Sequence, residues 1–112
     1  MSGGLAEFVP ENWVVFKPGE RKALHFYDHA KVTRVVTDPI TGRAKEVESL
    51  VFYVDEENGR KVEKMFSVLS MKLSQELSAY IPGRKYRDYV FVIEKPMNKF
   101  APPYLVEVRP RG

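Results

Sequence analysis

Cysteine is absent from the chain, which excludes a disulfide framework and any zinc site built on thiolates. No stretch approaches the roughly 18 apolar residues that a membrane helix needs. Met1-Ser2-Gly3-Gly4 lacks the basic start and apolar run of a signal peptide, so a soluble, cytoplasmic protein is expected. The spacings GxxxxGK[ST] and GxGxxG that cradle phosphates do not occur. Ser67 and Ser70 lack the glycine-flanked turn of a nucleophile. Only two histidines are present, His25 and His29, four residues apart in an extended stretch, and only Asp28 stands near as a third metal ligand. Glu46 and Glu48 share a strand face, which a solvated sheet explains. These gaps lead to the expectation of a protein that is not an enzyme and holds neither cofactor nor metal.

A globular composition remains: 44% hydrophobic, 12% aromatic and 29% charged, in 112 residues. That is enough apolar material for one core and too short a chain for two. The net charge is +3, unevenly spread. Residues 1–59 balance at −3, residues 60–95 at +4 and residues 96–112 at +2. A basic second half can attract phosphates, or it can be ordinary solvated surface. The charged fraction, eight prolines and lack of cysteine also fit a heat-stable (thermophile) protein.

Residues 1–11 read as a flexible lead-in, and residues 12–112 as a single domain. Trp13-Val14-Val15-Phe16 is a short apolar run stopped by Lys17-Pro18-Gly19-Glu20. Strand character returns at Ala23–Tyr27 and continues through Lys31–Thr37, with a bulge or bend expected at Asp28-His29-Ala30. Asp38-Pro39-Ile40-Thr41-Gly42 is a turn, Lys45–Val54 a strand, and Asn58-Gly59 a hairpin signal. Arg60–Leu69 is the third main strand. A helix is then predicted over Met71–Ile81, capped by Ser70, striped by Leu69, Leu73, Leu77 and Ile81, and stopped by Pro82-Gly83. Strands Asp88–Glu94 and Tyr104–Arg109 finish the chain, joined by a proline-rich connection over 96–103.

Three strands, one helix and two strands form the order of a five-stranded Greek-key barrel of the OB-fold kind, all-β with one helix between strands 3 and 4. An SH3-like barrel and a strand meander with one packed helix remain as alternatives.

Fourteen aromatic residues lie among the strands with basic residues between them. Single-stranded nucleic acid binds by stacking bases on such rings while Lys and Arg follow the phosphates. Lys45 and Tyr53 share one strand face, opposite Leu50, Phe52 and Val54. Lys64 and Phe66 share another face, with Phe66 placed in the core if Val62 and Val68 are buried. Trp13 either packs as a lid or stands exposed, and Arg34 interrupts the apolar pair Val32 and Val36. Tyr86 and Tyr89 flank the cluster Arg84, Lys85, Arg87 in the loop entering strand 4, read here as bordering the binding face together with the loop joining strands 1 and 2. The candidate binding residues are therefore Trp13, Lys17, Arg34, Lys45, Tyr53, Lys64, Phe66, Arg84, Lys85 and Tyr86.

The segments Trp13–Glu20, Leu24-His25-Phe26 and Met65–Ser70 resemble those of single-stranded DNA-binding OB-folds of archaeal, viral or phage type. The resemblance implies binding of single-stranded DNA, more than RNA, in replication or repair. It departs from the bacterial type at the end: a flexible acidic tail is expected there, and this chain closes on Arg109-Pro110-Arg111-Gly112. The alternative function is a protein-interaction or oligomerising subunit that uses the same barrel to hold a partner or a second copy.

Overall fold

The computed structural model describes residues 12–111, Arg34 by its backbone only. The expected lead-in over residues 1–11 lies outside the described residues. Most of the rest is antiparallel strand: β1 (Arg21–Thr37), β2 (Ala44–Glu57), β3 (Arg60–Ser67), β4 (Tyr89–Glu94) and β5 (Tyr104–Pro110). One α-helix, α1 (Met71–Ser78), and a 3-10 segment (Pro82–Asp88) lie between β3 and β4. The strands form one sheet in the order β3-β2-β1-β4-β5, which is not closed among the described residues.

Local chemistry sets the turns. Asp38 Oδ1 accepts from the Ile40 and Thr41 amides at 2.8 and 3.3 Å, and Gly42 takes φ 71°. This is an Asx-type turn closed by a residue free to adopt a left-handed backbone. At the β2–β3 hairpin, Asn58 and Gly59 take φ 53° and 80°. Two positive φ values in a two-residue loop match the right-handed twist of the flanking strands. Ser70 caps α1 by accepting from the Leu73 amide at 3.0 Å, satisfying one of the free donors of the first turn.

The helix is shorter than its sequence signal. It ends at Ser78 rather than Ile81, because Tyr80 and Ile81 donate three residues back, to Leu77 and Ser78. Those tighter bonds bring the chain to Pro82, which has no amide hydrogen to carry the α ladder further. Leu73 and Leu77 are buried, whereas Leu69 precedes the helix and is exposed.

The core lies on the inner face of the sheet, under α1. Phe26 stacks on Phe52 at 4.4 Å and on Phe91 at 5.1 Å, with Phe66 at 6.2 Å. Offset aromatic pairs of this kind add about 0.5–1.5 kcal/mol each beyond the area they bury. At one end of this face, Glu57 accepts from Lys22 at 3.0 Å and from Lys64 at 2.9 Å. The Lys22 ammonium also lies 5.5 Å from the Phe16 ring centre. Before β1, the Val14 amide donates to the Met65 carbonyl and Trp13 bridges Met65 in parallel, so the entering chain runs along the outer edge of β3.

The sheet is not of uniform width. β1 pairs with β4 only over Arg21–Leu24, and β2 pairs with β3 only from Val51 onward. Residues 31–48 therefore project as a two-stranded ribbon, with Val35 and Ile40 exposed at 68% and 92%.

Candidate functional site

Two irregularities in the β1–β2 ladder decide which side chains reach the outer face. Phe26 pairs with Val54 and Asp28 with Tyr53, which leaves Tyr27 as an extra residue in β1. His25 pairs with Glu56 and Phe26 with Val54, which leaves Asp55 as an extra residue in β2. Each bulge places two successive residues on one side of the strand. Tyr27 and Asp28 thus share the outer face with Asp55 and Glu56. After the Tyr27 bulge the inner face passes from even to odd positions. His29 enters the core side, and its Nδ1 lies 2.7 Å from the Tyr86 hydroxyl.

Beside the two bulges lies an open groove of about 670 Å³ lined by Tyr27, Asp55, Glu56, Lys61, Val62, Glu63 and Arg111. Below it is His25, only 3% exposed. Its Nδ1 is 2.6 Å from Asp55 Oδ1, and its Nε2 is 2.7 Å from the Arg87 carbonyl and 3.1 Å from Arg111 Nη1. Arg111 also donates to Glu56 Oε2 at 3.1 Å. One wall is Tyr27, 41% exposed, whose ring centre lies 6.1 Å from that of half-buried Tyr53 behind it, at an interplanar angle of 47°. Burial, followed by the charges of Glu63, Asp55 and Asp28, raises the Tyr27 hydroxyl above its ordinary value. A second groove of about 480 Å³ adjoins the first at Glu56 and Arg111 and reaches Arg109.

The structure gathers part of the sequence-based set and separates the rest. By register, Arg34 (opposite Val47), Lys45 (opposite Val36) and Tyr53 share the outer face, running from the ribbon to the groove. Half-buried Trp13 reaches the same face through its bridge to Met65, which pairs with Tyr53. Ser49, Val51 and Met65 on that face are buried, so its middle is not open surface. Arg84 lies near the bulge, with Nε 3.4 Å from Asp28 Oδ1, and Lys85 is exposed beside it. Lys17 is exposed in the turn before β1 and is not among the groove's lining residues.

Three candidates fall on the inner side instead of the outer face, and for Phe66 this is the core placement that the strand pattern favoured. Phe66 is 4% exposed and packs in the core, because it pairs with Phe52 on the inner face. Lys64 pairs with Val54 on that same face and is held by Glu57. Tyr86 is fully buried, held between Phe52 and His29. Neither Phe66 nor Tyr86 offers a surface to a ligand, and Lys64 keeps 27% of its side chain exposed on the inner side. The bend expected over Asp28–Ala30 is a bulge one residue earlier, at Tyr27. The segment carrying Arg84, Lys85 and Tyr86 joins α1 to β4, whereas residues 95–103 join β4 to β5.

The groove residues Tyr27, Lys61, Glu63 and Arg111 were missed by sequence reading. One signal was present: Asp55-Glu56-Glu57 puts three carboxylates in a row where a regular strand must turn one inward. Among the described residues, no three His, Asp or Glu side chains converge as a metal-binding set. No helix is long and apolar enough to cross a membrane, among the described residues. The chain matches no protein-family model, no curated protein and no solved structure.

Proposed function

We propose that the outer face around the two bulges binds single-stranded nucleic acid, DNA in preference to RNA, without catalysing a reaction on it. The observation that carries this reading is the register. It puts the Tyr27–Tyr53 pair and the basic positions Arg34 and Lys45 on one face of β1 and β2. Rings supply stacking surface for bases, and cations along the same face follow the phosphates. Arg84, Lys85 and Arg87 add positive charge next to Tyr27.

The topology supports the same reading. Three hairpin-linked strands with β4 returning beside β1 have the 4-1-2-3 order of a Greek key. With α1 between β3 and β4, this order supports reading the chain as an OB-fold opened between β3 and β5. In that fold the face of strands 2 and 3 binds oligonucleotides between the β1–β2 and β4–β5 loops. The second of those loops is 95–103, which holds exposed Met97, Lys99 and Phe100. The 84–87 cluster reaches the face differently, by bonding to the β1 bulge.

Fluorescence anisotropy with a labelled oligothymidine at low salt tests the proposal. Saturable binding that weakens as salt rises is expected, because phosphate contacts release counterions. Absence of binding at tens of micromolar protein sinks it.

One observation favours a second reading, in which a partner protein or a second copy occupies this molecule. The ribbon 31–48 exposes Val32, Val35, Val36 and Ile40 and pairs with no third strand along most of its length. An isolated two-stranded ribbon is marginal in water. Light scattering that gives a stable oligomer, with no oligonucleotide binding, selects this reading.

A further inference from the structure

The proposed face carries an unequal distribution of charge that says which base it takes. Along the ribbon and the 84–87 segment the candidate contacts are cationic. In the groove beside Tyr27 they are mostly carboxylates: Asp55, Glu56 and Glu63, against Lys61 and Arg111. Two of these carboxylates already have partners, Asp55 with His25 and Glu56 with Arg111. Glu63 is exposed on β3, lines the same groove as Tyr27, and is the first of the charges acting on the Tyr27 hydroxyl.

A phosphate is repelled by such a place, but the edge of a base is not. An ionised carboxylate only accepts hydrogen bonds, through two oxygens side by side. Guanine presents two adjacent donors, N1–H and N2–H, and matches both oxygens. Cytosine and adenine present one amino group each. Thymine presents N3–H between two carbonyl oxygens, both of which face a carboxylate unfavourably. Resting on the nucleic-acid reading of this face, we infer that the groove at the two bulges is a base-selective seat. Tyr27 stacks the base, Glu63 accepts from its amino-bearing edge, and guanine is preferred over thymine. Lys61, Arg111 and Arg109 in the adjoining groove are placed to take the flanking phosphates.

The test compares three labelled single strands of about 15 nucleotides, a length matched to the site size of such domains. They are oligothymidine, alternating thymidine–deoxyguanosine, and alternating thymidine–deoxycytidine. Wild-type protein is expected to bind the guanine strand roughly 10-fold more tightly than oligothymidine, the scale of one good bidentate base contact, with the cytosine strand between. Glu63→Gln is expected to reduce that preference to about 2-fold or less while keeping or strengthening oligothymidine binding, since a negative charge is removed. Glu63 is exposed and makes no hydrogen bond or ion pair among the described residues, so the variant is expected to fold; circular dichroism checks this.

Equal affinity for all three strands overturns the base-selective seat and leaves the nucleic-acid reading standing. So does a preference that survives unchanged in Glu63→Gln. No binding of any strand overturns both. If a labelled lysine-rich peptide binds in their place, the carboxylates and tyrosines serve a basic protein segment instead, which also overturns both.

Discussion

The Arg87 guanidinium donates to the main-chain carbonyl of Tyr27 at 2.7 Å, fastening the segment before β4 to the residue that the β1 bulge leaves unpaired. A bulged residue loses its regular place in the ladder, and its carbonyl needs a partner from elsewhere. Arg87 supplies that partner from 60 positions away. Arg87→Ala removes it, and we expect a loss of about 1 kcal/mol, near the mean net value of a protein hydrogen bond. In a domain of this size that lowers the thermal midpoint by roughly 4–8 °C, readable by calorimetry. An unchanged midpoint means water replaces the guanidinium without cost.

The aromatic residues divide into two classes that behave oppositely. Tyr53→Ala is expected to weaken oligonucleotide binding by about 1–3 kcal/mol, the scale of one stacked base, with little change in fold. Phe66→Ala is expected to destabilise the protein by about 3–5 kcal/mol through the cavity it opens. Paired binding and urea-melting measurements on both variants separate the classes. Intact binding by Tyr53→Ala argues against stacking on that ring.

Tyr86→Phe probes the part-buried polar link to His29. Deleting the hydroxyl leaves His29 Nδ1 without its partner at 2.7 Å. The expected cost is about 0.5–1.5 kcal/mol, the net value of a protein hydrogen bond, because half-buried His29 can still meet water; oligonucleotide affinity is expected to stay unchanged. Urea titration gives the first quantity and anisotropy the second.

Acid should weaken the fold through Glu57. Burial alone raises this carboxyl, but hydrogen bonds and charge from Lys64 and Lys22 outweigh it and hold the group below its usual 4.5. A carboxyl depressed in the folded state contributes stability that is complete above its unfolded value. That stability is lost as pH falls through the folded value. The melting midpoint is therefore expected to drop below about pH 4.5, and Glu57→Gln to flatten that part of the curve while lowering stability at neutral pH. Midpoints measured from pH 3 to 7 check both; identical slopes for the two proteins contradict the assignment.

What the sequence shows well is what neighbouring residues determine. The Asp38–Gly42 turn, the Asn58-Gly59 hairpin and the Ser70 cap need only side chains within a few positions of one another. The bulges at Tyr27 and Asp55 are set by which residues pair across β1, β2 and β3, and no local pattern announces them. From there the errors spread. Without the bulge, nothing signals that His29 turns inward, so nothing offers Tyr86 a buried partner, and its basic neighbours make it look like surface. Phe66 was readable, because Val62 and Val68 share its face. Lys64 was not, because the carboxylate that lets a lysine lie on the core side sits across the hairpin, in Glu57.

The projecting ribbon has a consequence for how the molecule opens. Residues 31–48 are held by one ladder and little buried area, whereas 51–54 are sealed between strands on both sides. Opening free energy follows buried contacts, so it is low along the ribbon and reaches the global value in the core. Amide protons of Val35, Glu46 and their neighbours should exchange with solvent long before those of Phe52 and Val54. A protease should nick the chain near Arg43 or Lys45 and leave the remainder folded. The molecule thus holds two cooperative units on one continuous pair of strands, and the ribbon can change shape around a ligand without unfolding what carries it.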